Sequence, residues 1–242
     1  MSSGPRIVNM SVNMVGHGGL RSTISARFAG TGRTVCADAI FGEVDAWSRI
    51  ADPRSSELYA RVRESLRRCS IFDELTLTGF RGRSLPLAKD VPARECFGPP
   101  PADVAPPNRY NEAGKPALYL CTVRAAVGRE LPGLASIWVQ RYVVPVGKLR
   151  IADIRSPEST AEQLLAAVMW FSELAGAEGH PSHSFSRFLA SMVAEQFDGM
   201  LVSGVRGDPA LLYSNLVILN PRAEWRDWLS PEPPTPLERT VV

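Results

Sequence analysis

The run ALYLCTV at residues 117–123 decides the fold class, because a short and almost wholly apolar stretch is typical of a buried strand. Residues 124–131 form a predicted helical segment that ends before the Pro132-Gly133 pair. The other predicted strands are also short, and they show no regular βαβ rhythm. The sequence therefore predicts an α+β domain with a compact mixed sheet. These other strands cover residues 75–81, 136–144, 149–154, 200–203 and 215–219.

Three further helices accompany the strands in the prediction. Residues 53–69 place four apolar side chains on one helical face. A second helix begins at Ser156, because serine caps helix N-termini and the proline that follows it suits the first turn. A third covers residues 185–197 and ends before Gly199, a residue suited to a left-handed C-cap.

The chain divides by pattern into three parts. Residues 1–72 form an N-terminal extension that is partly helical, with no clear period before residue 50. Residues 73–225 carry most of the strands and form the principal domain, and residues 226–242 form a proline-rich tail. Within the principal domain, residues 82–115 are irregular and rich in Arg, Asn, Pro and Gly. A loop of that length inside a compact domain is usually functional or disordered, and we predict function.

Composition narrows the class of protein. The chain has 242 residues and 45% hydrophobic residues, which is typical of one globular domain with an appendage. Its 27 Lys+Arg and 25 Asp+Glu give a net charge of +2, so the uniform basic field of a nucleic-acid-binding or membrane-surface protein is not expected. Neither a secretory signal nor a membrane-spanning apolar run is recognised, which predicts a cytoplasmic protein.

Cysteine and histidine usage predicts neither disulfides nor a metal. The four cysteines lie too far apart for a C-x-x-C motif, so we predict free thiols in a reducing compartment. His180 and His183 lie near Glu178, but no second ligand pair at suitable spacing accompanies them. The glycines of Gly30-Thr-Gly32 do not complete a phosphate loop, and we predict a turn there.

Six polar residues lie at strand ends, in the long loop, within the ALYLCTV strand or at the end of the helical segment that follows it. Arginines at such places offer forked donors suited to phosphate. A carboxylate beside a ribose can stabilise the positive charge that develops when an N-glycosidic bond breaks. Taken singly, each residue also has a structural explanation, such as a salt bridge for an arginine, a core contact for the tyrosine, a surface position for the glutamate or a strand-end cap for the serine. The six are Arg81, Arg109, Asn111, Tyr119, Glu130 and Ser203.

In combination these residues resemble the RES domain family, which is named for its Arg, Glu and Ser. The resemblance spans residues 75–221, and its middle block is the most specific part. One departure is Arg129, which precedes the glutamate where a small residue is common. The matching pieces are FRG at 80–82, FGPPP at 97–101, NRYN at 108–111, GKPALYL at 114–120, Glu130, FDGMLVS at 197–203 and NLVIL at 215–219.

The resemblance implies a fold similar to that of ADP-ribosyltransferase toxins and an enzyme that consumes NAD+ as its substrate. Relatives release nicotinamide from NAD+, with inorganic phosphate or water as acceptor in a phosphorylase or glycohydrolase, or with a protein as acceptor in an ADP-ribosyltransferase. Many are toxins that pair with an Xre-type antitoxin, and we expect such a partner here. A non-catalytic binding module is the remaining alternative, and a homo-oligomer is left open.

The resemblance also implies a role for each candidate. Arg81 and Arg109 would hold the NAD+ phosphates or ribose, with Asn111 in the same binding set. Tyr119 would pack against the nicotinamide or its ribose. Glu130 would stabilise the oxocarbenium-like state, and Ser203 would position the nicotinamide end. The predicted catalytic residues are Glu130, Arg81 and Ser203, and no metal takes part.

Overall fold

The structure is a computed structural model, and it describes residues 7–11, 25–28, 34–36, 43, 46–47, 50–85, 91–131, 136–155, 165, 184–203 and 213–237. The chain forms two compact units. The first comprises Met1–Cys69 with Ser156–Leu189, and the second comprises Ser70–Arg155 with Ala190–Val242. All six candidate residues belong to the second unit.

The first unit contains an antiparallel three-stranded sheet and a helix. The sheet has the order β1-β2-β3, with β1 at Ile7–Ser11, β2 at Ser25–Phe28 and β3 at Thr34–Cys36. Helix α1, Glu57–Arg67, confirms the helix predicted within residues 53–69. Its N-cap is Ser56, whose hydroxyl accepts a hydrogen bond from the backbone N–H of Tyr59, so the first turn is satisfied. Its apolar face is buried, as predicted, through Leu58, Val62 and Leu66.

The second unit contains a seven-stranded mixed sheet in the order β10-β6-β4-β5-β9-β8-β7. Neighbouring strands pair antiparallel except for β7 and β8, which are parallel. Together with the helices this confirms the α+β prediction. The strands are β4 Leu77–Arg83, β5 Ala117–Cys121, β6 Trp138–Val144, β7 Ile151–Asp153, β8 Gly199–Ser203, β9 Ser214–Leu219 and β10 Thr235–Pro236.

The helices of the described residues are short apart from α1 and α3. Helix α2 is Val127–Glu130 and follows a 3-10 turn at Arg124–Ala126, within the predicted segment 124–131. Helix α3 is Ser184–Ala194, within the region predicted as 185–197. The helix predicted to begin at Ser156 lies outside the described residues except for Leu165, which is helical. Further 3-10 turns are Pro53–Ser55, Arg94–Phe97, Ala102–Val104, Val146–Lys148 and Ala223–Trp228.

Strand β5 is apolar because both faces of the sheet are covered. Leu118 and Leu120 belong to a core cluster with Tyr142 and Trp225 on one side. Cys121 belongs to a second cluster, which also contains Ala126, Val127 and Val139. Burial on two sides leaves no room for polar alternation, which is why the ALYLCTV run correctly predicted a buried strand.

Strand β4 has the predicted length but lies two residues further along the chain, because it begins at Leu77 instead of residue 75. The sequence placed its end at Arg81 and an irregular stretch from Gly82, whereas the strand continues to Arg83. Two further pairs with β6 extend it, namely Gly82 with Val139 and Arg83 with Trp138. A cross-strand partner of this kind lies far away in sequence, so the local pattern could not reveal it.

The sheet divides between β4 and β5. These strands meet at one register pair, Phe80 with Cys121, whereas β4 and β6 share seven pairs and β5 and β9 share five. Arg81 follows this point on β4, and Tyr119 lies two residues before it on β5. Both candidates therefore lie where the sheet opens into a three-stranded and a four-stranded part.

Candidate functional site

Arg81 is a partly exposed residue whose guanidinium has a buried Nη1 atom and no described counter-ion. Its Nη1 atom is buried, and no group of the described residues accepts a hydrogen bond from it or forms an ion pair with it. Burial, with a further contribution from the neighbouring Arg83 cation, lowers the pKa of Arg81 to about 10. The guanidinium therefore stays charged at neutral pH. The salt bridge considered for Arg81 from the sequence is not formed within the described residues.

Tyr119 fixes the long loop to strand β5. Its hydroxyl donates to Oδ1 of Asn111 (2.8 Å) and accepts from the backbone N–H of Tyr110 (3.1 Å). The Tyr110 and Tyr119 rings stack, with centroids 6.3 Å apart, and the Arg109 guanidinium lies 5.0 Å from the centroid of the Tyr110 ring. Burial raises the pKa of Tyr119 above its usual range, so the hydroxyl stays protonated and can donate to Asn111.

Asn111 holds the loop from within. Its buried side-chain amide donates to the carbonyls of Pro106 (2.9 Å) and Glu112 (3.1 Å), while its Oδ1 accepts from Tyr119. Both N–H groups and the oxygen are thus engaged inside the chain. In this geometry Asn111 holds the loop that carries Arg109. If Asn111 affects ligand binding, it does so by keeping this loop in place and not by contacting the ligand.

Removing the Tyr119 hydroxyl should loosen this loop. Tyr119→Phe leaves the Tyr110 N–H and the Asn111 Oδ1 without their partner, and we expect a loss of about 1–3 kcal/mol in unfolding free energy. Urea unfolding measures it. Tyr59→Phe is the matched control, since the Tyr59 hydroxyl has no hydrogen bond in the described part of the chain. Equal, small losses in both variants would contradict the anchoring role.

Glu130 is held by two neutral donors. Its Oε1 accepts from the Tyr213 hydroxyl (2.7 Å) and from Nδ2 of Asn215 (2.8 Å). Helix α2 reaches this position because it packs closely on β4, where a Cβ at Gly82 would overlap the side chains of Val127 and Leu131. The result is an oriented, half-buried carboxylate at the edge of the second core cluster, rather than a solvated helix residue.

Cys121 lies near Glu130, and its surroundings test the prediction that it is a core cysteine. Burial raises the pKa of the Cys121 thiol to about 11, with a smaller contribution from Glu130. The thiol donates to the Val123 carbonyl (3.2 Å), and Cys121 is free of disulfides, in agreement with a core cysteine.

Ser203 ends β8, where its backbone pairs with Ser214, the residue between Tyr213 and Asn215. Its predicted roles stay predictions.

The structure thus brings five of the six candidates into two neighbouring groups, and Ser203 is placed only by the pairing of its backbone with Ser214. In the first, Tyr119 lies close enough to Arg81 and Arg109 for both cations to influence its pKa. Arg81 belongs to the opposite face of β4 from Phe80, and it comes near Tyr119 because the two strands separate after Phe80. The second group contains Glu130 with its two donors. Strand β5 connects the two groups, because it carries Tyr119 of the first group and also Cys121, whose pKa is influenced by Glu130. Tyr119 and Cys121 are two positions apart and therefore lie on one face of the strand.

Sequence reasoning missed the two donors to Glu130. Asn215 was recognised as the start of an apolar strand and of the matching piece NLVIL, but no role was assigned to it, although a polar residue at that place is a weak signal for a site. Tyr213 gave no signal. Their contacts span 83 and 85 residues of sequence, so no local pattern connects them to Glu130.

The described residues contain no group of three or more His, Cys, Asp or Glu side chains arranged to hold a metal ion. Within the same part of the chain, every helix is too short or too polar to span a bilayer. His180 and His183 lie outside the described residues.

Comparisons with known proteins give one structural likeness. No family model and no curated protein sequence matches the chain. Among solved structures, the chain is similar to a chain in the crystal structure of the M. tuberculosis MbcT-MbcA toxin-antitoxin complex. The two are 13% identical, the TM-score is 0.47, and the overlap covers 75% of this chain and 91% of that chain. The functional interpretation therefore rests on this chain's own residues.

Proposed function

We propose that this protein cleaves the nicotinamide N-glycosidic bond of NAD+, with inorganic phosphate or water as acceptor, and acts as a toxin by depleting NAD+. One observation carries the proposal. Arg81, a partly buried cation without a described counter-ion, and the anchored carboxylate of Glu130 lie near the point where β4 and β5 separate. NAD+ has the complementary charges, because its diphosphate is anionic and its nicotinamide ribose becomes more cationic as the bond breaks.

Each group has a distinct part in this reaction. Arg81 and Arg109 bind the diphosphate through charge-assisted hydrogen bonds. Tyr119 offers its ring to the nicotinamide or its ribose, while its hydroxyl keeps Asn111 and the loop in place. Ser203 positions the nicotinamide end. Glu130 stabilises the oxocarbenium-like ribose, and the Tyr213 hydroxyl and the Asn215 amide orient its carboxylate.

The bond changes balance without a metal. The bond between the anomeric carbon and the pyridinium nitrogen breaks, and its electron pair goes to nicotinamide, which becomes neutral. An oxygen of the acceptor forms the new bond to the same carbon. Water as acceptor loses a proton and gives ADP-ribose, whereas phosphate gives the ribosyl 1-phosphate ester.

Product analysis tests the proposal and identifies the acceptor. Purified protein is incubated with NAD+ with and without inorganic phosphate, and nicotinamide and the ADP-ribosyl product are separated by chromatography. Nicotinamide release supports the proposal, and phosphate-dependent formation of the ester identifies phosphorolysis. Labelled NAD+ that marks a protein in a lysate would instead favour ADP-ribosyl transfer to protein. No release from protein freed of any bound partner would favour a non-catalytic module.

The partner and the location follow from the family resemblance. We propose an Xre-type antitoxin that covers the NAD+ site, and a cytoplasmic protein, because the pool of NAD+ to be depleted is there. Growth arrest on expression of the chain alone, relieved by co-expression of such a partner, is the expected result. A partner that binds but leaves NAD+ cleavage unchanged would contradict the covering role.

Tyr213 and Asn215 should act as positioning residues for Glu130. Tyr213→Phe and Asn215→Ala each remove one donor to Oε1, and we expect kcat to fall about tenfold with little change in KM. A double-mutant cycle distinguishes this from general loosening. In a Glu130→Gln background either change should have almost no further effect on kcat. Equal losses in both backgrounds would show that the two residues act independently of the carboxylate.

A further inference from the structure

Three buried donor atoms without described partners belong to side chains that share one face of strands β4 and β6. They are Nη1 of Arg81, Nε of Arg83 and Nε1 of Trp138, and none has an acceptor within the described residues. Arg83 and Trp138 are directly opposite in the register, as are Arg81 and Gln140, so all four side chains project from the same face. Trp138 is 7% exposed and Gln140 is 0% exposed, whereas Arg81 and Arg83 are partly exposed, so the cluster extends from buried side chains to partly exposed arginines.

The same place holds one unsatisfied acceptor. Oε1 of Gln140 is buried and has no donor in the described part of the chain. The orientation of the amide is fixed, because its Nε2 donates to the Arg141 carbonyl (2.9 Å) and lies 3.3 Å from the carbonyls of Ser230 and Glu232. A flipped amide would place an oxygen against three carbonyl oxygens.

The charge of this cluster is uncompensated. Arg83 is held by one bond, from its Nη2 to the Gly98 carbonyl (2.7 Å), and neither it nor Arg81 forms an ion pair within the described residues. The two cations are near enough for Arg83 to contribute to the lowered pKa of Arg81. Buried polar groups normally have partners, and buried like charges cost free energy, so a ligand that accepts several hydrogen bonds and carries negative charge fits here.

The donor and acceptor pattern distinguishes between phosphate ligands. The diphosphate of NAD+ is a diester, so its phosphoryl oxygens only accept. Inorganic phosphate keeps at least one O–H group at neutral pH, and it can therefore accept from the three donors and also donate to Gln140 Oε1. We propose that Arg81, Arg83, Trp138 and Gln140 form a site for inorganic phosphate.

This site deepens the proposed function. If the protein cleaves NAD+, the bound phosphate is the acceptor, and that assignment rests on the proposed function. Phosphate binding itself does not, since it is expected in the absence of NAD+. Arg81 lies at the border of the site and also near Tyr119, so it can contact both the dinucleotide and the phosphate.

Calorimetric titration of the full chain with inorganic phosphate, sulfate and ADP-ribose tests the site. Sulfate has the same shape and charge as the phosphate dianion but no O–H at neutral pH. We expect the wild-type protein to bind phosphate at least about tenfold more tightly than sulfate, because sulfate leaves Gln140 Oε1 unpaired. Equal affinity for both anions, or no binding of phosphate, would overturn the proposal without any variant.

Variants then locate the site. Arg83→Gln should weaken phosphate binding at least about tenfold, and Trp138→Phe, which removes the indole N–H, should weaken it severalfold. Arg83→Lys keeps the charge and should fall between Arg83→Gln and wild type. Arg222→Gln and Trp47→Phe are the controls: Arg222 is exposed, and the Trp47 Nε1 already donates to the Pro53 carbonyl. Phosphate binding that responds to Arg83→Gln no more than to Arg222→Gln would contradict the assignment.

The ADP-ribose titration separates the two sources of phosphate. If Arg83→Gln leaves ADP-ribose affinity unchanged while it weakens phosphate, the site takes inorganic phosphate as proposed. If ADP-ribose weakens by the same factor, the cluster binds the dinucleotide diphosphate, and the proposal is wrong even when NAD+ cleavage is observed. Phosphate binding without any nicotinamide release would instead support the site and refute the proposed function.

Discussion

Arg81→Met should raise the stability of the ligand-free protein while it weakens NAD+ binding. The guanidinium is buried beside another cation and lacks a described anionic partner, so its charge costs free energy until a ligand binds. Replacing an uncompensated buried charge by an apolar side chain of similar length should stabilise the fold by about 1–3 kcal/mol. This expected gain in stability is unusual, because most substitutions at buried positions lower the free energy of unfolding.

The pH dependence of this effect follows from the lowered pKa. Folding moves the pKa of Arg81 from its usual value down to about 10, so the folded state disfavours the charged form. The cost is therefore fully present at neutral pH and is relieved only as the pH rises through about 10. The stability gain of Arg81→Met should be constant between pH 6 and 8.

Thermal unfolding and ADP-ribose titration measure the two effects together. We expect a higher melting temperature for Arg81→Met and an ADP-ribose affinity that falls about tenfold to a hundredfold. Arg222→Met, at an exposed position, should change neither quantity appreciably. A destabilised Arg81→Met protein that still binds ADP-ribose as the wild type does would show that Arg81 is a structural residue.

Glu130→Gln should have the largest effect on turnover. The glutamine oxygen can still accept from Tyr213 and Asn215, so the fold and both hydrogen bonds are kept while the negative charge is lost. Loss of one group that stabilises developing charge typically lowers kcat by about 10²–10³-fold. We expect a fall of this size in nicotinamide release, with KM for NAD+ little changed.

The control for this variant is Glu224→Gln, which removes a carboxylate from an exposed position in the same unit. It should keep wild-type turnover. Circular dichroism and melting temperature establish that Glu130→Gln is folded. A folded Glu130→Gln protein with wild-type kcat would exclude the carboxylate from the chemistry and with it the role assigned here.

The local pattern of the sequence predicted what depends on neighbouring residues. The ALYLCTV run gave a buried strand because β5 has core on both faces, and the spacing of Leu58, Val62 and Leu66 gave helix α1. The absence of a βαβ rhythm gave the α+β class. Each of these features is set by side chains a few positions apart, within one element.

Features that depend on distant pairing were not predictable in this way. The separation of β4 from β5 after Phe80 follows from register, and no short segment encodes it. The donors to Glu130 come from strand β9 and the residue before it. The Arg83 and Trp138 donors become neighbours only because β4 pairs with β6. The site residues were recognised from a family pattern, whereas their partners required the three-dimensional arrangement.

NAD+ cleavage with Glu130 in the chemical step is tested most directly by the rate of nicotinamide release from NAD+ by the purified wild-type protein, measured alongside Glu130→Gln. We expect steady release by the wild type, at least a hundredfold slower release by the variant, and loss of NAD+ equal to the nicotinamide formed. Wild-type protein that is folded and free of any partner, yet releases no nicotinamide with or without phosphate, would contradict it.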